Sequence, residues 1–210
     1  MRFSLNRIVV ITAIVAAGAG CSVNKSYRID DGTFRDAGIH TVNGSIRIGS
    51  DCKIGGDCQT VNGRIEVGDD TTTHDLQTVN GRISIGSGCS MDGDVNTVNG
   101  RIKMGAGTIV NGDVGTVNGD ILLTGAQVKQ DLTTVNGDVT LEAESIVDGD
   151  IVVRGKSSLD SEIIIKVSGG SVVKGDVVAK KGRDVRLYIS SGAQVLGDIR
   201  GAEVFRGETQ

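Results

Sequence analysis

Proline and tryptophan are absent from this 210-residue chain, and aromatic side chains make up only 2% of it. The absence of proline fits a fold of hydrogen-bonded strands, because each proline would remove one backbone donor from a ladder. Most cores take much of their buried area from large rings, so this interior must be built from aliphatic side chains. Disordered chains also contain few aromatics, but 38% hydrophobic residues and a net charge of −4 argue against disorder.

The first twenty residues have the character of a signal peptide. Arg2 and Arg7 precede an apolar run over residues 8–17, which is too short to span a bilayer. Small residues then lead to Cys21, an arrangement that resembles the lipobox of bacterial lipoproteins. The resemblance implies cleavage before Cys21, lipidation of that cysteine and attachment to a membrane, with Ser22 typical of outer-membrane sorting. Ordinary secretion is the alternative.

The charge balance and the residue types argue against several function classes. Removal of residues 1–20 takes away two of the 22 basic side chains and none of the 26 acidic ones, so the net charge becomes −6 and gives no reason to expect nucleic acid. The two histidines, His40 and His74, fall in different repeats, and the chain has no phosphate loop and no Cys-x-x-Cys pair. We therefore expect neither an enzyme nor a cofactor or metal site.

An internal repeat occupies most of the remaining chain. Thr-Val-Asn-Gly occurs six times, at intervals of 18 or 19 residues. Asn-Gly suits a sharp bend with positive φ, and stacked asparagines would form an amide ladder along the molecule. The predicted corner residues are Asn43, Gly44, Asn62, Gly63, Asn80, Gly81, Asn99, Gly100, Asn118, Gly119, Asn136 and Gly137.

Hydrophobic spacing within one repeat predicts three short strands. Aliphatic residues lie six apart at Val98, Met104 and Val110, with Ile102 and Val114 at alternate positions between them. We interpret all five as inward-facing. Turns that cannot bury their own apolar face are expected to stack about 4.8 Å apart through parallel ladders.

A second template, Ile-x-apolar-x-x-Gly-x-x-apolar-x-Gly-Asp, extends the repeat past residue 150 in longer coils of 26 and 22 residues. The predicted fold is all-β: a single three-sided parallel β-solenoid of about eight coils of 18–26 residues. The aspartates that end these coils are Asp57, Asp75, Asp94, Asp113, Asp131, Asp150, Asp176 and Asp198.

These Gly-Asp corners and Ile-x-Ile coils resemble the polymer-forming β-solenoid repeats of the bactofilin group, over roughly residues 38–200. The VNG-x-I-x-I units also resemble adhesin-like solenoids of exported bacterial proteins. The resemblance implies the fold and a structural role. Hexapeptide acyltransferases also contain a β-helix with a six-residue step. An exported protein would not meet their cytoplasmic acyl donors, which argues against this enzyme class. A β-helix carbohydrate-active enzyme would need long loops and aromatic platforms, which the regular coils lack.

Two columns of charged residues and one pair of cysteines are further candidate features. The aspartates are expected to accept hydrogen bonds from local backbone N–H groups, with weak divalent-cation binding as the alternative. Arg64, Arg82 and Arg101 form an outward column that changes to Asp120 and Asp138, either a solvated face or a flat strip for a glycan or protein. A Cys52–Cys58 disulfide around one corner is compatible with an oxidising compartment, whereas Cys89 lies too far from Cys52 to pair with it.

The expected organisation is a cleaved signal peptide over 1–20, a lipid tether and N-terminal cap over 21–40, regular coils over 41–150, longer coils over 151–200, and a C-terminal cap or tail over 201–210. We expect a non-enzymatic envelope lipoprotein, a rigid scaffold or adhesin-like module that contacts the membrane through its lipid. An envelope protein or glycan would be its partner. A capped monomer is expected, with a self-assembling polymer as the alternative. The aromatic residues near both ends, Tyr27, Phe34, Tyr188 and Phe205, suggest lids over the open coils.

Overall fold

The computed structural model describes residues 23–155 and 162–207, and these ranges contain strands and turns but no helix. The predicted signal peptide and Cys21 lie outside the described residues. Twenty-eight short strands, numbered β1–β28 in chain order, form three parallel sheets. Each coil of the chain adds one strand to each sheet in turn.

Sheet 1 has ten strands: β1 (Tyr27–Ile29), β4 (Ile46–Ile48), β7 (Ile65–Val67), β10 (Ile83–Ile85), β13 (Ile102–Met104), β16 (Ile121–Thr124), β19 (Val139–Glu142), β22 (Ile163–Val167), β25 (Val185–Ile189) and β28 (Glu203–Arg206). Sheet 2 has nine strands: β2 (Phe34–Arg35), β5 (Lys53–Ile54), β8 (Thr72–Thr73), β11 (Ser90–Met91), β14 (Ile109–Val110), β17 (Gln127–Val128), β20 (Ile146–Val147), β23 (Val172–Val173) and β26 (Gln194–Val195). Sheet 3 also has nine: β3 (Ile39–Thr41), β6 (Cys58–Thr60), β9 (Leu76–Thr78), β12 (Val95–Asn99), β15 (Val114–Asn118), β18 (Leu132–Thr134), β21 (Ile151–Val153), β24 (Val177–Ala179) and β27 (Ile199–Arg200).

Equivalent repeat positions pair with each other, so the sequence repeat sets the register. Ile83 pairs with Ile65 on one side and with Ile102 on the other. This confirms the three-sided parallel β-solenoid. It has about nine turns rather than about eight, because residues 27–41 form a further coil at the N-terminal end. At about 4.8 Å per strand, the ten strands of sheet 1 span roughly 43 Å.

Alternation along each strand produces an aliphatic core. Ile102 and Met104 are fully buried, while Lys103 between them is exposed. Val110 from sheet 2 and Val114 from sheet 3 close the same layer, both with 0% exposure. Each such side chain contributes about 1.5–3 kcal/mol of burial free energy. No aromatic ring is among the fully buried core residues of the described chain.

The TVNG corner turns its threonine inward and its valine outward, so the prediction of an inward Val98 is wrong. Thr97 is 1% exposed, whereas Val98 is only partly buried. The Thr97 hydroxyl donates to the carbonyl oxygen of Gly81 in the preceding coil at 2.9 Å, and Thr60 bonds Gly44 in the same way at 2.8 Å. A valine side chain has no hydrogen-bond donor for this carbonyl oxygen. The threonine therefore faces inward and the valine faces outward.

Close approach between coils requires glycine at all six of these corners, whereas positive φ occurs at only two of the corner glycines, Gly119 (φ 155°) and Gly137 (φ 158°). None of the six predicted corner asparagines has positive φ. A Cβ added to Gly100 would lie only 2.0 Å from the carbonyl oxygen of Gly81. Left-handed backbone occurs instead at the corner between sheets 1 and 2, for example at Asp51 (φ 56°), Gly88 (φ 68°) and Gly107 (φ 71°).

Candidate functional site

Charged side chains concentrate on the outer face of sheet 1, in two neighbouring columns. The first column immediately precedes each strand, and backbone hydrogen bonds between coils hold its members in register. The second column is the outward residue in the middle of each strand, as in the pairings Arg47–Glu66, Glu66–Ser84 and Ser84–Lys103. The first column contains the predicted Arg64, Arg82, Arg101, Asp120 and Asp138.

Glu66 is the acidic centre of an arginine cluster. Its carboxylate lies 2.7 Å from Arg47 Nε, 3.0 Å from Arg64 Nε and 3.8 Å from Arg82 Nη2. Partial burial raises the pKa of Glu66, but the Arg47 hydrogen bond and the three positive charges outweigh this effect and hold the pKa below its ordinary value. Three guanidinium groups thus share one carboxylate and leave an excess of positive charge.

An open groove of about 560 Å³ lies beside this cluster. Its small lining residues are Ser84, Gly100 and Gly119. Arg101 donates to Asp120 across coils, with Nη2 to Oδ2 at 2.7 Å, which confirms the predicted pair. The charged residues that line the groove are Glu66, Arg82, Arg101, Lys103 and Asp120.

The aspartate column forms its own hydrogen-bonded ladder. Asp75 Oδ1 accepts the N–H of Asp94 at 2.9 Å, and Asp94 Oδ1 accepts the N–H of Asp113 at the same distance. The pattern continues to Asp198, whose N–H lies 2.8 Å from Asp176 Oδ1. These bonds reach the next coil rather than the aspartate's own corner, and they supply a backbone donor to each carboxylate of the column from Asp57 to Asp176.

Burial raises the pKa of Asp75, and the neighbouring carboxylates of Asp57 and Asp94 act in the same direction. Within residues 23–155 and 162–207, no group of three or more histidine, cysteine or acidic side chains is arranged to hold a metal ion. The ladder of backbone hydrogen bonds is what supports a structural role for this column.

The predicted asparagine ladder is present on the neighbouring corner. Asn99 Nδ2 donates to Asn80 Oδ1 at 2.8 Å, and each corner asparagine repeats this bond with the coil before it. Asn24 begins the ladder by accepting from Asn43 at 2.7 Å. Arg183 ends it, because its Nη2 lies 2.7 Å from Val135 O and 3.1 Å from Asn136 Oδ1.

The three cysteines of the described chain are free and buried. Cys52 Sγ donates to the carbonyl oxygen of Asp30 at 3.2 Å, whereas Cys58 Sγ lies 3.9 Å from Thr73 Oγ1. The disulfide considered between Cys52 and Cys58 is therefore not formed in this structure. Burial raises the pKa of the Cys58 thiol to about 11, which makes it an inert core residue at neutral pH.

The two predicted histidines lie in different coils. His40 lies in β3 of sheet 3, while His74 is exposed two coils further on, at the corner between β8 of sheet 2 and β9 of sheet 3. Neither contributes to the groove on sheet 1.

Two features of the structure were not predictable from the sequence. The clustering of arginines around Glu66 depends on the outward column in the middle of sheet 1, which becomes visible only when the coil register is known. Arg183 bonds Asn136, 47 positions earlier in the chain, and it follows a corner that lacks the TVNG motif. No local pattern marks that contact.

Comparison of the chain with known protein families, curated proteins and solved structures finds no match. In the described part of the chain, no helix has the length and hydrophobicity to cross a membrane.

Proposed function

We propose that the protein is a lipid-anchored, non-enzymatic component of the bacterial cell envelope. It acts as a rigid scaffold or adhesin-like interaction module close to the outer membrane. The observation that carries the proposal is the rod itself, in which three continuous parallel ladders enclose one aliphatic core. A rod of this kind holds surface groups at fixed intervals, and its charged face on sheet 1 is the natural contact surface.

The anchor is supported by the basic start, the short apolar run and the small residues before Cys21. The test is detergent-phase partitioning of the full chain and of Cys21→Ala. Wild type should enter the detergent phase, and Cys21→Ala should remain in the aqueous phase or be processed poorly. Cys89→Thr is the matched control, because equivalent coils carry threonine at this buried position. Wild-type partitioning of Cys21→Ala would contradict the anchor.

A self-assembling polymer is the second candidate, and the ends of the rod favour it. Strands β1 and β28 each leave one edge of sheet 1 unpaired, and open edges recruit further strands. Apolar side chains are also exposed near both ends, with Phe34 at 64% and Leu196 at 61%. The resemblance to bactofilin repeats points the same way. Filaments of the purified wild-type protein in electron micrographs would favour this candidate over the capped scaffold.

A further inference from the structure

The outer face of sheet 1 carries more cations than its own carboxylates can pair. We define the basic strip as the six cationic side chains on the two outward columns of its first five strands. The carboxylate in these two columns is Glu66, and Asp120 lies immediately before the sixth strand. The chain as a whole is acidic, with a net charge of −4. The basic strip consists of Arg28, Arg47, Arg64, Arg82, Arg101 and Lys103.

The ion pairs show where positive charge remains available. Glu66 is shared by three arginines, and Asp120 is taken by Arg101. Arg28 and Lys103 form no ion pair within the described residues. The side chain of Arg82 is 58% exposed, and its distance of 3.8 Å from Glu66 leaves its donors accessible. An external anion can therefore bind without displacing the short Arg47–Glu66 bond.

The groove provides the space for such an anion. Ser84 is a small outward residue between Glu66 and Lys103 in the column, and it supplies a hydroxyl there. Arg82, Arg101 and Lys103 line the same groove. Guanidinium groups bind carboxylates through paired hydrogen bonds, and weak hydration of arginine favours such contacts.

We propose that the basic strip binds a linear acidic polysaccharide whose carboxylates follow the rod axis. Strands spaced about 4.8 Å apart repeat the cations at an interval close to the advance of one sugar in an extended chain. The outward columns of the strip contain no aromatic side chain, and non-specific single-strand nucleic-acid sites rely on base stacking. The proposal rests on the proposed function, because it names the partner of that envelope module.

The experiment uses the full chain in non-ionic detergent, with sodium polygalacturonate as the probe and its fully methyl-esterified form as the uncharged control. Calorimetric titration should detect the acidic polymer, with affinity falling as salt is raised, and should detect no binding of the ester. Arg82→Gln combined with Lys103→Gln should weaken binding by about three- to tenfold. Lys53→Gln combined with Lys180→Gln removes the same charge from exposed positions on other faces and should leave the affinity unchanged.

Ser84→Asp provides an independent variant, because it places a carboxylate in the groove and should abolish binding. Its β-sheet circular dichroism should match wild type, since Ser84 faces outward between two buried isoleucines. Absence of wild-type binding, or equal losses in the two charge variants, would overturn the proposal. Equal affinity for a single-stranded oligonucleotide, lost in the same variant, would overturn the saccharide assignment.

The lipid anchor and the basic strip are tested by independent measurements. Cys21→Ala should bind polygalacturonate with wild-type affinity while losing its partitioning into detergent. Binding by a wild-type chain that does not partition would contradict the proposed anchor alone. Partitioning of a wild-type chain that does not bind would contradict the basic strip alone.

Discussion

At the scale of single residues, the corner glycines are set by the distance between coils. The Cβ of any other residue at Gly100 would lie 2.0 Å from Gly81 O, and hydrogen bonds between coils prevent the backbones from separating. We expect Gly100→Ala to lower the free energy of unfolding by about 1–3 kcal/mol in urea titration. Gly100→Asn should not be milder, because asparagine tolerates positive φ but not this overlap.

Gly107 is the matched control for this prediction. Its φ is 71°, and the nearest atom to an added Cβ lies 3.7 Å away. Asparagine should therefore be tolerated better than alanine at Gly107. At the outward Lys103, alanine should change the unfolding free energy by less than about 0.5 kcal/mol. Rescue of Gly100 by asparagine would show that φ, and not overlap, controls the corner.

Ionisation of Cys58 is expected to lower the stability of the folded protein at alkaline pH. Burial raises its pKa from 9.0 to about 11, so the folded state holds the thiol proton more tightly than the unfolded state. The contribution of the protonated Cys58 thiol to the free energy of unfolding is fully present below pH 9 and is lost as the pH rises towards 11. Two pKa units correspond to about 2.7 kcal/mol at most.

The measurement is urea unfolding of wild type and Cys58→Val between neutral and strongly alkaline pH. Valine occupies the equivalent position at Val95 and Val114, so the variant should fold. Wild type should lose more stability than Cys58→Val over this range. Parallel pH profiles for the two proteins would contradict the assignment of the alkaline loss to Cys58.

At the scale of structural elements, the last asparagine of the ladder accepts a hydrogen bond from Arg183. Arg183 is 8% exposed and donates to Val135 O and Asn136 Oδ1. Arg183→Met should lower the unfolding free energy by about 2 kcal/mol, because a charge-assisted bond is lost and a partly buried carbonyl loses its donor. Lys180→Met, at an exposed position nearby, should have little effect. Equal midpoints in urea titration would show that Arg183 does not support the ladder.

Strands and register were predictable from the sequence because they depend on spacing alone. Ile102, Met104 and Val110 face inward as the period of two indicates. The choice between Thr97 and Val98 was not predictable from hydrophobicity, since it depends on a carbonyl of another coil that only the threonine hydroxyl can reach. The Arg101–Asp120 pair followed from the repeat length. The arginine cluster at Glu66 was not predictable from the repeat length, because its members come from three coils and two columns.

At the scale of the whole molecule, the aromatic residues suggested as lids behave differently from one another. Tyr27, in the first strand of sheet 1, is half-buried and packs against the core at the N-terminal end. Tyr188 pairs with Phe205 at an outward position of sheet 1, where their rings stack with centroids 4.9 Å apart. Phe34 is 64% exposed at the other end. At the C-terminal end both rings face outward, so we expect another group to limit the addition of further coils there.

Arg206 is the residue placed to limit growth at the C-terminal end. It pairs with Ile189, so it occupies a column that is aliphatic in the coils below, and a charge at an inward position of a terminal strand discourages further pairing. We expect residues 22–210, produced without lipid, to be monomeric by light scattering, and Arg206→Ile to associate end to end at the same concentration. Arg206→Lys keeps the charge and should stay monomeric. A monomeric Arg206→Ile would remove this role from Arg206, and filaments of the unmodified domain would establish the self-assembling polymer in place of the capped scaffold.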